Sequence, residues 1–201
     1  MSHIKSALEI ALERTADIKS DASVGKKREL NNCGKKLASD FLSDNYLSAF
    51  KKAFGKYKHE EKDLVFEGVL KLFLARIQLP SDEAEKEKVL LVGQGLEVLL
   101  PHKGMSELFQ SVNQVFSRYL EAQKQLEEAL TQQFMPKLRQ KQKELEKRLG
   151  QQIELSPSQD PEFVQSLNRN LEALKDQYLQ SVDEIKRYIT NASGLDIDSD
   201  A

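Results

Sequence analysis

The stretch KVLLVGQGLEVLLP, Lys88 to Pro101, decides between two kinds of protein. Read as a strand running into Gly93-x-Gly95, it opens a dinucleotide-binding turn. Read as a helix, it leaves the whole chain all-α. A dinucleotide fingerprint needs a third Gly or Ala, a long helix after the turn and a second strand ending in an acid. Here Val98 stands at the third position, Pro101 arrives six residues past Gly95, and the downstream FQSVNQVFSRYL is helically periodic. The helical reading accounts for every residue. Val89, Val92, Leu96 and Leu99 recur at spacings of three and four. Asp82 and Glu85 make a capping-box-like pair after Pro80, with acids crowding the first turn as the helix dipole prefers. Gly93 shares the face of Val89, Leu96 and Leu100. An interior glycine costs about 1 kcal/mol against alanine, so Gly93 is expected to admit a neighbouring helix at close range.

The same periodicity extends in both directions. Upstream, Ile4, Leu8, Ala11, Leu12, Thr15 and Ile18 form the stripe of a first helix capped by Ser2. Asp21 to Gly25, DASVG, reads as a loop. A second helix follows over about Lys26 to Leu42, interrupted near Gly34. Ser43 to Asn45 then caps a third helix carrying Tyr46, Leu47, Phe50 and Phe54, which Gly55 ends. A fourth helix starts near His59 and stops before Pro80.

Downstream lies the longest pattern, with Leu108, Val112, Val115, Tyr119, Leu126, Leu130, Phe134, Leu138, Leu145 and Leu149 on one stripe and Pro136 kinking the helix within it. Gly150 to Pro161 is a turn-forming linker. Phe163, Leu167, Leu171, Leu174, Tyr178, Val182, Ile185 and Ile189 mark a last helix. Two helices of such length each need a partner, and the nearest is the other, folded back as a coiled-coil-like antiparallel hairpin. That order pairs Leu145 with Leu167. The expected fold is therefore an all-α helical bundle: an N-terminal helical region over 1–100, a long helical hairpin over 104–191 packed on it, and an acidic tail over 192–201. No internal repeat relates the halves.

Composition narrows the function. Thirty Lys and Arg against 32 Asp and Glu give a net charge of −2, so no global field draws the chain to nucleic acid or an anionic membrane. Cys33 is the single cysteine, which leaves no intramolecular disulfide and no thiolate metal cluster. Glu9, Glu13 and Arg14 interrupt the opening residues, so no secretory leader is expected there. No window holds 18 consecutive apolar residues, so no membrane span is expected. The expectation is a cytoplasmic protein.

Local chemistry is sparse. Lys51, Lys52, Lys56 and Lys58 interleave with Phe54 and Tyr57, and nine basic residues face three acidic ones across Lys26 to Lys58. Lysines that release counterions from phosphates, beside aromatics that stack on bases, are the ingredients of nucleic-acid binding; a solvated helix face is the simpler reading. Lys137 to Arg148 is a second basic run, with Glu144 and Arg148 spaced as a supporting pair. His59, Asp63 and Glu67 recur every four residues, but the glutamate-three-before-histidine pattern of bundle metal sites is missing. Asp196, Asp198 and Asp200 lack the rest of a calcium loop. Cys33, beside Gly34, Lys35 and Lys36, has no nucleophile motif around it. No catalytic constellation, metal site or cofactor is expected.

The stretch IKSALEIALERTADIKSD, Ile4 to Asp21, resembles the N-terminal stretch of uncharacterised bacterial all-helical proteins of similar size. That resemblance implies no activity and carries over no site residues. The expectation is a non-enzymatic interaction or scaffold protein, meeting a protein partner or a second copy of itself. The alternative is polyanion or nucleic-acid binding through residues 26–58.

Overall fold

A computed structural model describes the backbone of residues 7–152 and 154–195, and the side chains of residues 24–152 and 154–195. The described residues form six α-helices and no strand: α1 (Ala7–Asp44), α2 (Leu47–Phe54), α3 (His59–Arg76), α4 (Glu83–Leu99), α5 (Met105–Leu149) and α6 (Pro161–Ser193), with a short 3-10 turn at Pro157–Gln159 before the last. The chain is all-α, and Lys88 to Leu99 is helical through both glycines. The N-terminus of α4 forms as its sequence dictates. Asp82 Oδ1 accepts from the Glu85 N–H at 2.8 Å, and the Glu85 carboxylate reaches back to the N–H and hydroxyl of Ser81, both at 2.8 Å.

Two expectations about the N-terminal third are corrected. The DASVG segment is not a loop, and Gly34 does not interrupt the chain; both lie inside a single helix of 38 residues. One glycine costs a long helix only about 1 kcal/mol, and no proline enforces a break. Ser43 to Asn45 is the end of that helix and not a cap for the next. Asn45 takes a left-handed φ of 56° and its N–H returns to the Phe41 carbonyl at 2.9 Å. Asparagine tolerates this conformation at a helix C-terminus. The proposed Ser2 cap, the Ile4–Ile18 stripe and the tail aspartates have their caps or side chains outside the described residues.

The helices distribute over two compact units. One comprises Met1–Arg76, Leu91–Met105 and Thr190–Ala201; the other comprises Ile77–Leu90 and Ser106–Ile189.

In the first unit, Lys26 meets Glu61, Gly34 meets Val65 and Phe41 meets Phe73, so α1 and α3 advance in the same direction. Their backbones touch. A Cβ on Gly34 would stand 2.1 Å from the Val65 carbonyl oxygen, and one on Gly68 would stand 2.0 Å from that of Asn31. Ala38, fully buried one turn after Gly34, keeps the same face narrow. Around this contact Phe41, Phe50 and Phe73 form a buried aromatic cluster with ring centroids 4.8 to 6.2 Å apart. Such pairs contribute about 0.5–1.5 kcal/mol each beyond their buried area. Gly95 seats against the same cluster, where a Cβ would lie 2.7 Å from the Phe73 ring. Gly93 is buried.

In the second unit, Tyr119 meets Tyr178 at 5.1 Å and Phe134 meets Phe163 at 5.5 Å. Fifteen residues forward on α5 correspond to fifteen back on α6, so the contacts run in antiparallel order. The register differs from the expected pairing of Leu145 with Leu167. It places Leu167 level with Leu130, and Leu145 beside Leu155 of the connecting segment. The reason is the length of that connection: Glu162 bonds Lys137 and Asp160 bonds Lys141, so the chain has returned about three turns before α6 starts. Leu149, assigned to the packed stripe by its spacing, is consequently 60% exposed. The α5 helix continues through Pro136 without ending.

Candidate functional site

The four lysines singled out by sequence all reach solvent. Lys51 and Lys52 occupy the last turn of α2, where the helix dipole favours cations, and Lys56 and Lys58 lie in the connection to α3. Phe54, between them, is not available for stacking on a base. It is buried, packs against Phe50 and Phe66, and carries the Lys62 ammonium 5.4 Å over its ring. The other basic residues of the segment are dispersed. Lys26, Lys27, Arg28, Lys35 and Lys36 point in all directions around α1, given 3.6 residues per turn. Lys26 is already paired with Glu61 at 2.9 Å, and that hydrogen bond raises its pKa.

A more structured arrangement lies where α5 turns back toward α6. The sequence Asp160-Pro161 starts α6 with a carboxylate cap and a proline in the first helical position, where its missing N–H costs nothing. Asp160 Oδ1 accepts the N–H groups of Glu162 at 2.9 Å and Phe163 at 3.3 Å. Its Oδ2 accepts from the Lys141 ammonium at 2.7 Å, and the residue is 5% exposed. The Lys141 bond, aided by the two backbone donors, holds the Asp160 carboxyl below the usual carboxylate range against the opposing effect of burial. The same bond raises the Lys141 ammonium. Next to it Lys137 bonds Glu162 and lowers that carboxyl as well. The connecting segment is fastened too, with the Ser156 N–H donating to Gln159 Oε1 at 3.0 Å.

Beside this clamp is a cleft of about 340 Å³, walled by Leu138, Leu145, Leu155 and Pro161 and edged by Glu144 and Arg148. Glu144 accepts from Gln140 at 3.1 Å rather than pairing with Arg148 as its spacing suggested, and Arg148 forms no ion pair among the described residues. The Asp160 and Lys141 charges are satisfied by one another, so the cleft offers an apolar wall with one carboxylate and one guanidinium at its edge. In sequence, Gly150 to Pro161 reads as a turn-forming linker. The Asp-Pro pair was the available signal for an anchored corner.

Among the described residues no group of three or more His, Cys, Asp or Glu is arranged to hold a metal, and His59, Asp63 and Glu67 stay along one edge of α3. Cys33 is half-buried on α1. No described helix is long and apolar enough to cross a membrane.

No curated protein and no solved structure is similar to this chain. A family described as being of unknown function, DUF6657, matches residues 51–191. The match takes in α3, α4, α5, the clamped corner and most of α6, and begins downstream of the Ile4–Asp21 stretch. Because it covers well over half of the sequence, this protein belongs to the family of unknown function DUF6657.

Proposed function

We propose that the chain is a non-enzymatic helical interaction protein that presents the end of α5 to a protein partner. The observation that supports this reading is the α5–α6 register. α5 is 45 residues long, about 68 Å, and α6 is 33 residues, about 50 Å. α6 begins level with Lys137 to Lys141, so the last two to three turns of α5 lie beside the connecting segment. There Leu149 is 60% exposed, next to the Leu145–Leu155 cleft. An apolar anchor ringed by polar groups is the usual composition of an interface centre. The clamp of Asp160 on Lys141 and the backbone keeps that surface in one conformation, which lowers the ordering cost of binding.

The test is capture from native lysate by the full chain, compared with Leu149→Glu. The expected result is a discrete protein held by the parent and lost by the variant, while both melt alike because Leu149 contributes little burial. The same proteins held equally by both would remove the support for this reading.

One observation favours a second reading, polyanion binding: Lys51, Lys52, Lys56 and Lys58 are all exposed and form no ion pair among the described residues. Four phosphate contacts give a slope of log K against log salt of about −3 to −4. Duplex DNA or RNA binding with that slope, removed when all four lysines become glutamine, would establish it. Weak binding without the slope would dismiss it.

A further inference from the structure

A different surface lies at the α1–α2 corner. Tyr46 follows the left-handed Asn45 and sits at the N-terminal boundary of α2, where the residue is 68% exposed. Beside it is a groove of about 190 Å³ with a floor of Leu37, Phe41, Phe50 and the two alanines Ala49 and Ala53. The charged residues that line it are Asp40 and Asp44, and both are carboxylates. Neither forms an ion pair among the described residues. Their placement is unfavourable for the helix that carries them. Asp44 lies in the last turn of α1 and Asp40 one turn earlier, at the negative end of the dipole, and that last turn contains no basic residue.

The size of the groove decides what it takes. Small-molecule sites are about 300–1,000 Å³; this one holds a single large side chain. Its charge decides the neighbours of that side chain. A cation near Asp40 and Asp44 relieves their repulsion with the helix end, and the exposed face of Tyr46 offers it a cation–π contact.

We propose that this groove docks a basic, apolar segment of a partner protein: one Leu, Met or aromatic side chain inserted between α1 and α2, with Arg or Lys within a turn of it on Asp40 and Asp44. The site goes beyond the α5 surface and stands or falls separately from it. All of its lining residues except Ala53 lie upstream of the matched family region.

The experiment is selection of a random peptide library on the immobilised full chain, followed by affinity measurement of the enriched peptides on variants. Enriched peptides should carry a large apolar residue with Arg or Lys one to four positions away. They should bind at least about tenfold more weakly to Asp40→Asn/Asp44→Asn and to Tyr46→Ser, and unchanged to Leu149→Glu. Asp44→Lys supplies the control for folding: it should melt higher than the parent, because it reverses the dipole clash, and still lose binding. The absence of any enriched peptide, enrichment of peptides without cations, or affinities indifferent to Asp40, Asp44 and Tyr46 would each overturn the proposal.

Discussion

Replacing Gly34 or Gly68 by alanine should destabilise the protein, although alanine is the better helix former. The gain is known: alanine over glycine inside a helix is worth about 0.8–1.0 kcal/mol. Gly25, on the same α1 helix, measures that gain alone, because a Cβ there would meet nothing within 4 Å. At Gly34 the new methyl would lie 2.1 Å from the Val65 carbonyl oxygen, and at Gly68 2.0 Å from that of Asn31, where real Cβ atoms essentially never come closer than 3.0 Å. Backbone cannot rotate aside as a side chain can, so α1 and α3 must separate by about an ångström. Overpacking of this kind costs about 1–3 kcal/mol. The upper part of that range applies here, since the separation also loosens Phe41 against Phe73. The net expectation is a loss of about 1–2 kcal/mol for each variant, against a gain approaching 1 kcal/mol for Gly25→Ala. Urea unfolding followed by far-UV circular dichroism reads all three as shifts in midpoint at constant slope. The two losses should also combine to less than their sum, because helices already parted by one methyl admit the second more easily. If Gly34→Ala stabilises as much as Gly25→Ala, the backbone contact does not exist.

Other outcomes follow from the same geometry. Gly95→Ala should lower stability, because its Cβ would lie 2.7 Å from the Phe73 ring; thermal unfolding checks it, and a smaller loss than at Gly34 is expected because a ring can shift where backbone cannot. With Cys33 replaced by serine, a short bis-maleimide should join Leu130→Cys to Leu167→Cys and fail to join Leu145→Cys to Leu167→Cys, which the register separates by about fifteen residues or 22 Å along α5. The Asp160 carboxyl is depressed below its ordinary 3.8, so its stabilisation is present above that pH and lost as pH falls through the lower folded-state value. Asp160→Asn should therefore be less stable than the parent at neutral pH and approach it in strong acid, in paired urea titrations.

Helix identity was readable wherever apolar spacing was regular. The Lys88–Pro101 stretch is the sharpest example, since Val98 and Pro101 exclude the nucleotide turn and Ser81, Asp82 and Glu85 supply the observed cap. Helix ends were harder. DASVG has loop composition, yet composition alone does not break a helix that no proline interrupts. SDN is equally suited to closing one helix and opening the next, and only the φ of Asn45 separates those roles. The close-packing glycines were visible as glycines, but which one meets backbone depends on a helix crossing that periodicity does not contain. Gly34 looked like a break and is a contact. Antiparallel order came from the short connection; register did not, because it depends on how far Gly150 to Asp160 folds back before α6 starts. The candidate surfaces were nearly silent for the same reason. Leu149 fits the stripe and falls outside the register. Asp40 and Asp44 read as ordinary solvent-facing acids until α2 places an apolar groove against them.

The proposed interaction surface at the end of α5 is tested most directly by a photo-crosslinking amino acid placed at Leu149 in the full chain inside living cells. The control is the same group at Glu128, which is also exposed on α5 but lies on the stretch accompanied by α6. Irradiation should produce a discrete covalent adduct with one protein from position 149 and none of that species from position 128. No adduct from either position, or the same diffuse pattern from both, would contradict the assignment of this surface to a partner.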